Sequence, residues 1–104
     1  MVIMKIVAVT ACPTGIAHTY MAATALEKAA KKLGHSIKVE TQGSIGVENK
    51  ITAKEVAEAG VVIFAVDVAV KEEERFKGKP TLRVEPQKAI KNATAIVEEA
   101  VKLV

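Results

Sequence analysis

Cys12-Pro13-Thr14-Gly15-Ile16-Ala17-His18-Thr19 brings a thiol, two hydroxyls and an imidazole into one short stretch of chain. It follows Met4 to Thr10, an almost continuous apolar run rich in β-branched residues, the pattern of a central strand covered on both faces. It precedes apolar residues at Ile16, Tyr20, Ala23, Leu26, Ala30 and Leu33, which is helical spacing. A loop between such a strand and such a helix can turn several backbone N–H groups toward one point. N–H groups in a first helical turn have no intrahelical acceptor, and the helix dipole adds positive potential there, so a phosphate or a thiolate is favoured. Pro13 stiffens the entrance, Gly15 permits unusual dihedrals, and Thr14 and Thr19 can hydrogen-bond phosphate oxygens or sulfur. Such surroundings lower a thiol pKa from about 8.5 to roughly 3.5–7.5, giving a thiolate nucleophile at neutral pH. The plain alternative is a small buried hydrophobe at a strand end.

Other residues are secondary candidates. His18 can orient phosphate or tune the thiolate, or it can be an ordinary surface histidine. His35, just after Gly34, is expected at the surface. Asp67, at the end of a later apolar run, can hold the loop or simply cap the strand. Gln42 and Gly43 open the stretch Gln42-Gly43-Ser44-Ile45-Gly46, which either meets a partner or substrate or makes a plain turn. A lone cysteine with no CxxC neighbour excludes an internal disulfide, thioredoxin-type exchange and a cysteine-based zinc finger. Neither GxGxxG nor GxxxxGK is present, which removes support for dinucleotide and P-loop nucleotide binding. No metal and no cofactor is expected.

The elements that position this loop are legible along the chain. The first strand, Met4 to Thr10, is followed after the Cys12 stretch by the first helix, for which Gly34 is a natural stop. Ser36 to Thr41 sets Ile37, Val39 and Thr41 against Lys38 and Glu40, a second strand. Thr52-Ala53-Lys54-Glu55 fits a capping box opening a short helix that runs to about Gly60. Val61 to Val66 is a third, interior strand, and Thr81 to Val84, between Pro80 and Pro86, an edge strand. Pro86 begins a last helix with Ile90, Ala93, Val97, Ala100, Val101 and Val104 on one face. Lys71 to Lys79, rich in charge, is expected not to pack. Strands alternating with helices predict an α/β three-layer sandwich, Rossmann-like, around a four-stranded, mainly parallel sheet of order 2-1-3-4. Ligands of such sheets bind beyond the C-terminal strand ends at the topological switch, where Cys12 and Asp67 fall.

With 104 residues, half of them apolar, residues 1–104 form a single domain. Fifteen basic against twelve acidic residues leave +3, dispersed rather than blocked, and the aromatics Tyr20, Phe64 and Phe76 are scattered, so nucleic acid is not an expected partner. No apolar run approaches the roughly 20 residues that span a bilayer, so direct membrane insertion is not expected and the chain should be cytoplasmic.

The segments VTACPTGIAHTYMAA, KVETQGSIGVENKIT, VIFAVDVAV and RFKGK resemble the fructose-type enzyme IIB component of the bacterial sugar phosphotransferase system over nearly the whole chain. The resemblance implies a phosphotransferase in which Cys12 accepts phosphoryl from a phosphohistidine on a IIA protein or domain. Cys12 would then pass it to a sugar, fructose in the usual case, bound by the membrane permease IIC, with this chain peripherally associated with the permease. Residues Pro13, Thr14, Gly15, Ile16, Ala17, His18 and Thr19 would cradle the phosphate, with Asp67, Gln42 and Gly43 in support. Tyr20 stands where the family often has phenylalanine. A rival is the low-molecular-weight phosphatase or arsenate reductase type, whose loop reads Cys-x5-Arg. Here His18 takes the arginine's place, and the bidentate clamp on a phosphoryl group is missing. A third reading is a regulatory docking module, against which an intact Cys12 argues.

Overall fold

In the computed structural model, residues 4–11, 16–43 and 46–103 are described, with the backbone alone at positions 16 and 17. Strand β1 (Lys5–Ala11) leads to helix α1 (Ile16–Lys32), then strands β2 (Ser36–Gly43) and β3 (Gly46–Glu48). Helix α2 (Ala53–Glu58), strand β4 (Val61–Val66), a 3-10 turn (Glu73–Phe76), strand β5 (Thr81–Val84) and helices α3 (Pro86–Lys91) and α4 (Ala93–Lys102) follow.

The sheet order is β3-β2-β1-β4-β5. Its four long-range strands are parallel and stand in the expected 2-1-3-4 order, and the α/β sandwich is as expected. A fifth strand corrects the predicted count: β3 folds back antiparallel on β2, pairing Thr41 with Glu48 and Gly43 with Gly46. Gly46, at φ +111°, adopts a conformation that L side chains rarely take, which fits a hairpin return in so short a segment. Ser44 and Ile45, between the two strands, lie outside the described residues.

Alternation along β1 and β4 divides the core in two. Ile6, Ala8, Val61, Ile63 and Ala65 face one way and pack with Ala22, Leu26 and Ala30 of α1 and Ile96, Val97 and Ala100 of α4. Val7, Val9, Ala11, Val62, Phe64 and Val66 face the other way, against Ile51, Val56, Ala59, Val70 and Phe76. Small alanines on the inner face of α1 allow its backbone to lie close to the sheet. Gly34 (φ +84°) ends α1: its N–H bonds the Lys31 carbonyl and the His35 N–H bonds the Ala30 carbonyl, a Schellman closure. The capping box of α2 is present in full, with Glu55 N–H donating to the Thr52 hydroxyl and Thr52 N–H to the Glu55 carboxylate.

Three other expectations are corrected. The last helix breaks at Asn92 (φ −130°, ψ 43°), which ends α3 and starts α4; Val104 lies outside the described residues. His35 is half-buried rather than on the surface, because its Nδ1 accepts the Met4 N–H at 3.0 Å and so ties the end of α1 to the start of β1. The charged stretch from Lys71 to Lys79 does pack: Phe76 is buried, its ring meeting Phe64 edge-on at 5.3 Å, and Lys79 Nζ donates to the carbonyls of Ala57 and Ala59 at the end of α2.

Candidate functional site

The C-terminal ends of the three central strands arrive level with one another. Ala11, the last residue of β1, stands opposite Gln42 on one side and Val66 on the other. Asp67, next after β4, is exposed, and its N–H reaches the Ala11 carbonyl at 3.3 Å. Helix α1 begins at Ile16, so the chain leaves the centre of the sheet and enters a 17-residue helix within four residues. Those four, Cys12, Pro13, Thr14 and Gly15, lie outside the described residues, as do the side chains of Ile16 and Ala17. Of the remaining predicted cradle, His18 is exposed in the first turn of α1 and Thr19 is buried. The Thr10 hydroxyl donates to the Thr19 carbonyl at 3.1 Å, fastening the end of β1 to the first turns of α1. Thr41, beside Thr10 on β2, is buried, and its hydroxyl has no hydrogen-bond partner among the described residues.

Gln42 and Gly43 both come to this edge, as the last two residues of β2. Gln42 is buried and fully engaged. Its Oε1 accepts the Lys71 N–H at 2.8 Å, and its Nε2 donates to the Lys71 carbonyl at 3.2 Å and to Glu40 Oε2 at 2.7 Å. The amide therefore replaces a strand neighbour for residue 71, holding the connection that follows β4 against the end of β2.

Behind Gln42 lies a polar group that the alternation in β2 could not reveal. Lys38, Glu40 and Gln42 share the face opposite α1, and that face is covered. Glu40 is wholly buried. Arg75 grips it with two parallel bonds, Nη1 to Oε1 at 2.8 Å and Nη2 to Oε2 at 2.9 Å, the fork geometry that suits a carboxylate. The other guanidinium N–H groups go to the carbonyls of Ile51 (2.9 Å), Lys71 (3.1 Å) and Glu72 (2.9 Å). All five Arg75 donors are thus used. Glu40 Oε1 also accepts the Ile51 N–H at 2.8 Å. Burial pushes the Glu40 carboxyl up. The bonds from Arg75, Gln42 and Ile51, with the Arg75 charge, outweigh that and hold it below the usual carboxylate range. The one sequence signal for this pair was the Phe-flanked arginine in a segment that looked too charged to pack.

On the opposite side, Tyr20 of α1 donates to Glu48 of β3, linking the helix to the hairpin; this bond, with smaller help from desolvation and the Glu48 charge, raises the Tyr20 pKa. The chain's two arginines are both committed, Arg75 to Glu40 and Arg83 to Glu73. Among the described residues no group of three or more His, Cys, Asp or Glu could hold a metal ion.

This frame, a parallel sheet whose central strand feeds a helix at the switch point, matches a family model over residues 7–99, described as "PTS system, Lactose/Cellobiose specific IIB subunit". The chain belongs to the PTS IIB family, in its fructose-like branch. It is 59% identical over 95 residues to "PTS system fructose-like EIIB component 2" of Escherichia coli K12, covering 91% of this chain and 90% of that protein. It is 52% identical over 98 residues to the "PTS system 2-O-alpha-mannosyl-D-glycerate-specific EIIABC component" of the same organism, covering 94% of this chain and 15% of that longer protein. Among solved structures, a domain of the fructose-specific IIABC component of Borrelia burgdorferi superposes with a TM-score of 0.91 at 54% identity, over 96% of this chain and 95% of that one. The solution structure of an enzyme IIB subunit from Escherichia coli K12 gives 0.90 at 43% identity, over 98% and 94%. Components of this family are phosphotransferase domains, and among the described residues no helix is long and apolar enough to cross a membrane.

Proposed function

We propose that Cys12 carries a phosphoryl group between two proteins. Its thiolate attacks the phosphorus of a phosphohistidine on a IIA protein or domain; the S–P bond forms as the P–N bond breaks, and the leaving imidazole takes up a proton. In the second step a hydroxyl of a sugar held by the permease IIC attacks that phosphorus. The S–P bond breaks, the thiolate is restored, and the hydroxyl proton passes to solvent. The observation that carries this reading is where the flanking elements end and begin: β1 ends at Ala11, flanked by the ends of β2 and β4, and a long helix begins at Ile16, with only four residues between. Positive potential at that helix start favours both the thiolate and the bound phosphoryl group. The cradle is assigned to Pro13, Thr14, Gly15, Ile16, Ala17, His18 and Thr19, with Asp67, Gln42 and Gly43 at its rim.

A carrier fits better than a hydrolase. His18 stands where the phosphatase loop has arginine, and both arginines of this chain are held in ion pairs. The names of the fructose-like relatives support fructose as the sugar. A relative of comparable identity named for mannosylglycerate is consistent with a choice made by the permease rather than by this chain. The chain would work in the cytoplasm, peripherally associated with the permease.

The test is incubation with a phosphorylated IIA protein followed by mass spectrometry. Phosphate on Cys12, absent from a folded Cys12→Ser variant, is the expected result; undiminished phosphorylation of that variant would remove the proposal.

A further inference from the structure

The hydrogen bonds around Gln42 and Arg75 converge on the backbone of one exposed residue. Lys71 has its N–H held by Gln42 Oε1, and its carbonyl held by both Gln42 Nε2 and Arg75 Nη2. Fixing three bonds to one surface residue confines the starting point of its side chain, which removes part of the ordering cost when that side chain binds something. The anchor is itself at the functional edge, because Gln42 is the strand neighbour of Ala11, the residue before Cys12. The two carboxylates that follow it in the chain are engaged elsewhere: Glu72 pairs with Lys50 at 2.9 Å and Glu73 with Arg83 at 3.2 Å. Lys71 makes no ion pair among the described residues, so its ammonium is available to an incoming anion.

We infer that Lys71 is a specificity-determining contact for the phosphoryl donor, its ammonium meeting negative charge on the phosphorylated IIA partner, with Gln42 as the residue that positions it. This rests on the carrier reading of Cys12 and names the charge that recruits the donor. The ammonium acts as a point charge on a flexible four-carbon stem, so the contact is electrostatic and tolerant of geometry. It contributes to encounter and binding rather than to the chemical step.

The experiment measures transfer from phosphorylated IIA to this chain for wild type, Lys71→Ala and Lys71→Arg, at low and high salt. Lys71 is exposed, so these variants keep the core intact. Lys71→Ala is expected to raise KM two- to tenfold with kcat unchanged, Lys71→Arg to restore wild-type KM, and the difference to vanish at high salt. Binding of phosphorylated and unphosphorylated IIA separates two sources of the charge. A defect confined to the phosphorylated form assigns the contact to the phosphoryl group, and an equal defect assigns it to acidic side chains of IIA. Wild-type KM and salt dependence in Lys71→Ala, or failure of Lys71→Arg to rescue, would overturn the inference while leaving the carrier reading intact. Absence of phosphate on wild-type Cys12 would instead defeat the carrier reading and this inference with it.

Discussion

Replacing Arg75 by methionine tests how the edge of the sheet is built. The guanidinium side chain is 14% exposed and the Glu40 side chain 1% exposed, so the substitution leaves a carboxylate in the interior with only the Gln42 and Ile51 bonds. Breaking a buried pair from one side costs about 3–5 kcal/mol, because the remaining charge keeps its desolvation penalty and loses its partner. For a domain near 100 residues, about 4 °C is lost per kcal/mol, so the midpoint should fall by roughly 12–20 °C. The deficit has a pH signature. In the variant, burial without the arginine raises the folded-state pKa of Glu40 above its unfolded value. The penalty is therefore complete above the raised folded-state pKa and shrinks as the pH falls through it and the carboxyl takes up a proton. The double variant Glu40→Met/Arg75→Met removes both charges and should recover most of the loss. Urea denaturation of the four proteins of this cycle, at pH 7 and pH 5, measures the free energies, and thermal unfolding measures the midpoint. A loss below about 1 kcal/mol for Arg75→Met, the level of an exposed pair, or a deficit independent of pH would refute the reasoning.

Thr52→Ala should cost about 1 kcal/mol by removing the N-cap of α2, measurable by urea denaturation. Lys38 first, then the Thr52 N–H, bring the Glu55 pKa to about 2, against an ordinary 4.5; because the folded value is depressed, its contribution is present above 4.5 and lost as the pH falls toward 2, and a Glu55→Gln comparison across that window should show the difference closing. Cys12 should react with iodoacetamide along a pH profile whose inflection lies below about 8.5, the ordinary thiol value; an inflection at that value would count against the anion cradle. The phosphorylated protein alone should lose phosphate slowly and discharge rapidly when permease membranes and sugar are added, since without a loop arginine water gains little help. Rapid turnover of an aryl phosphate by the isolated chain would revive the phosphatase reading.

The chain order of elements was legible because each carries a local cause. Continuous β-branched runs at Met4 to Thr10 and Val61 to Val66 can be satisfied only between two helical layers, and the capping box and Gly34 closure are short-range hydrogen bonds that sequence spacing states directly. The Cys12 stretch stood out in the sequence by its residue types alone, and the strand and helix expected on either side of it are present as β1 and α1. What only the tertiary structure decided was which polar residues are interior. Glu40 alternates as a solvent-facing residue should, and Arg75 sits in a run of charges. Yet 35 positions apart they meet, because the connection after β4 folds back over the face of β2 that alternation alone leaves open. The antiparallel pairing of β3 with β2 and the clamp of Gln42 on Lys71 have the same origin. A periodic pattern reports that a strand has two different faces, and the rest of the chain determines what covers each of them.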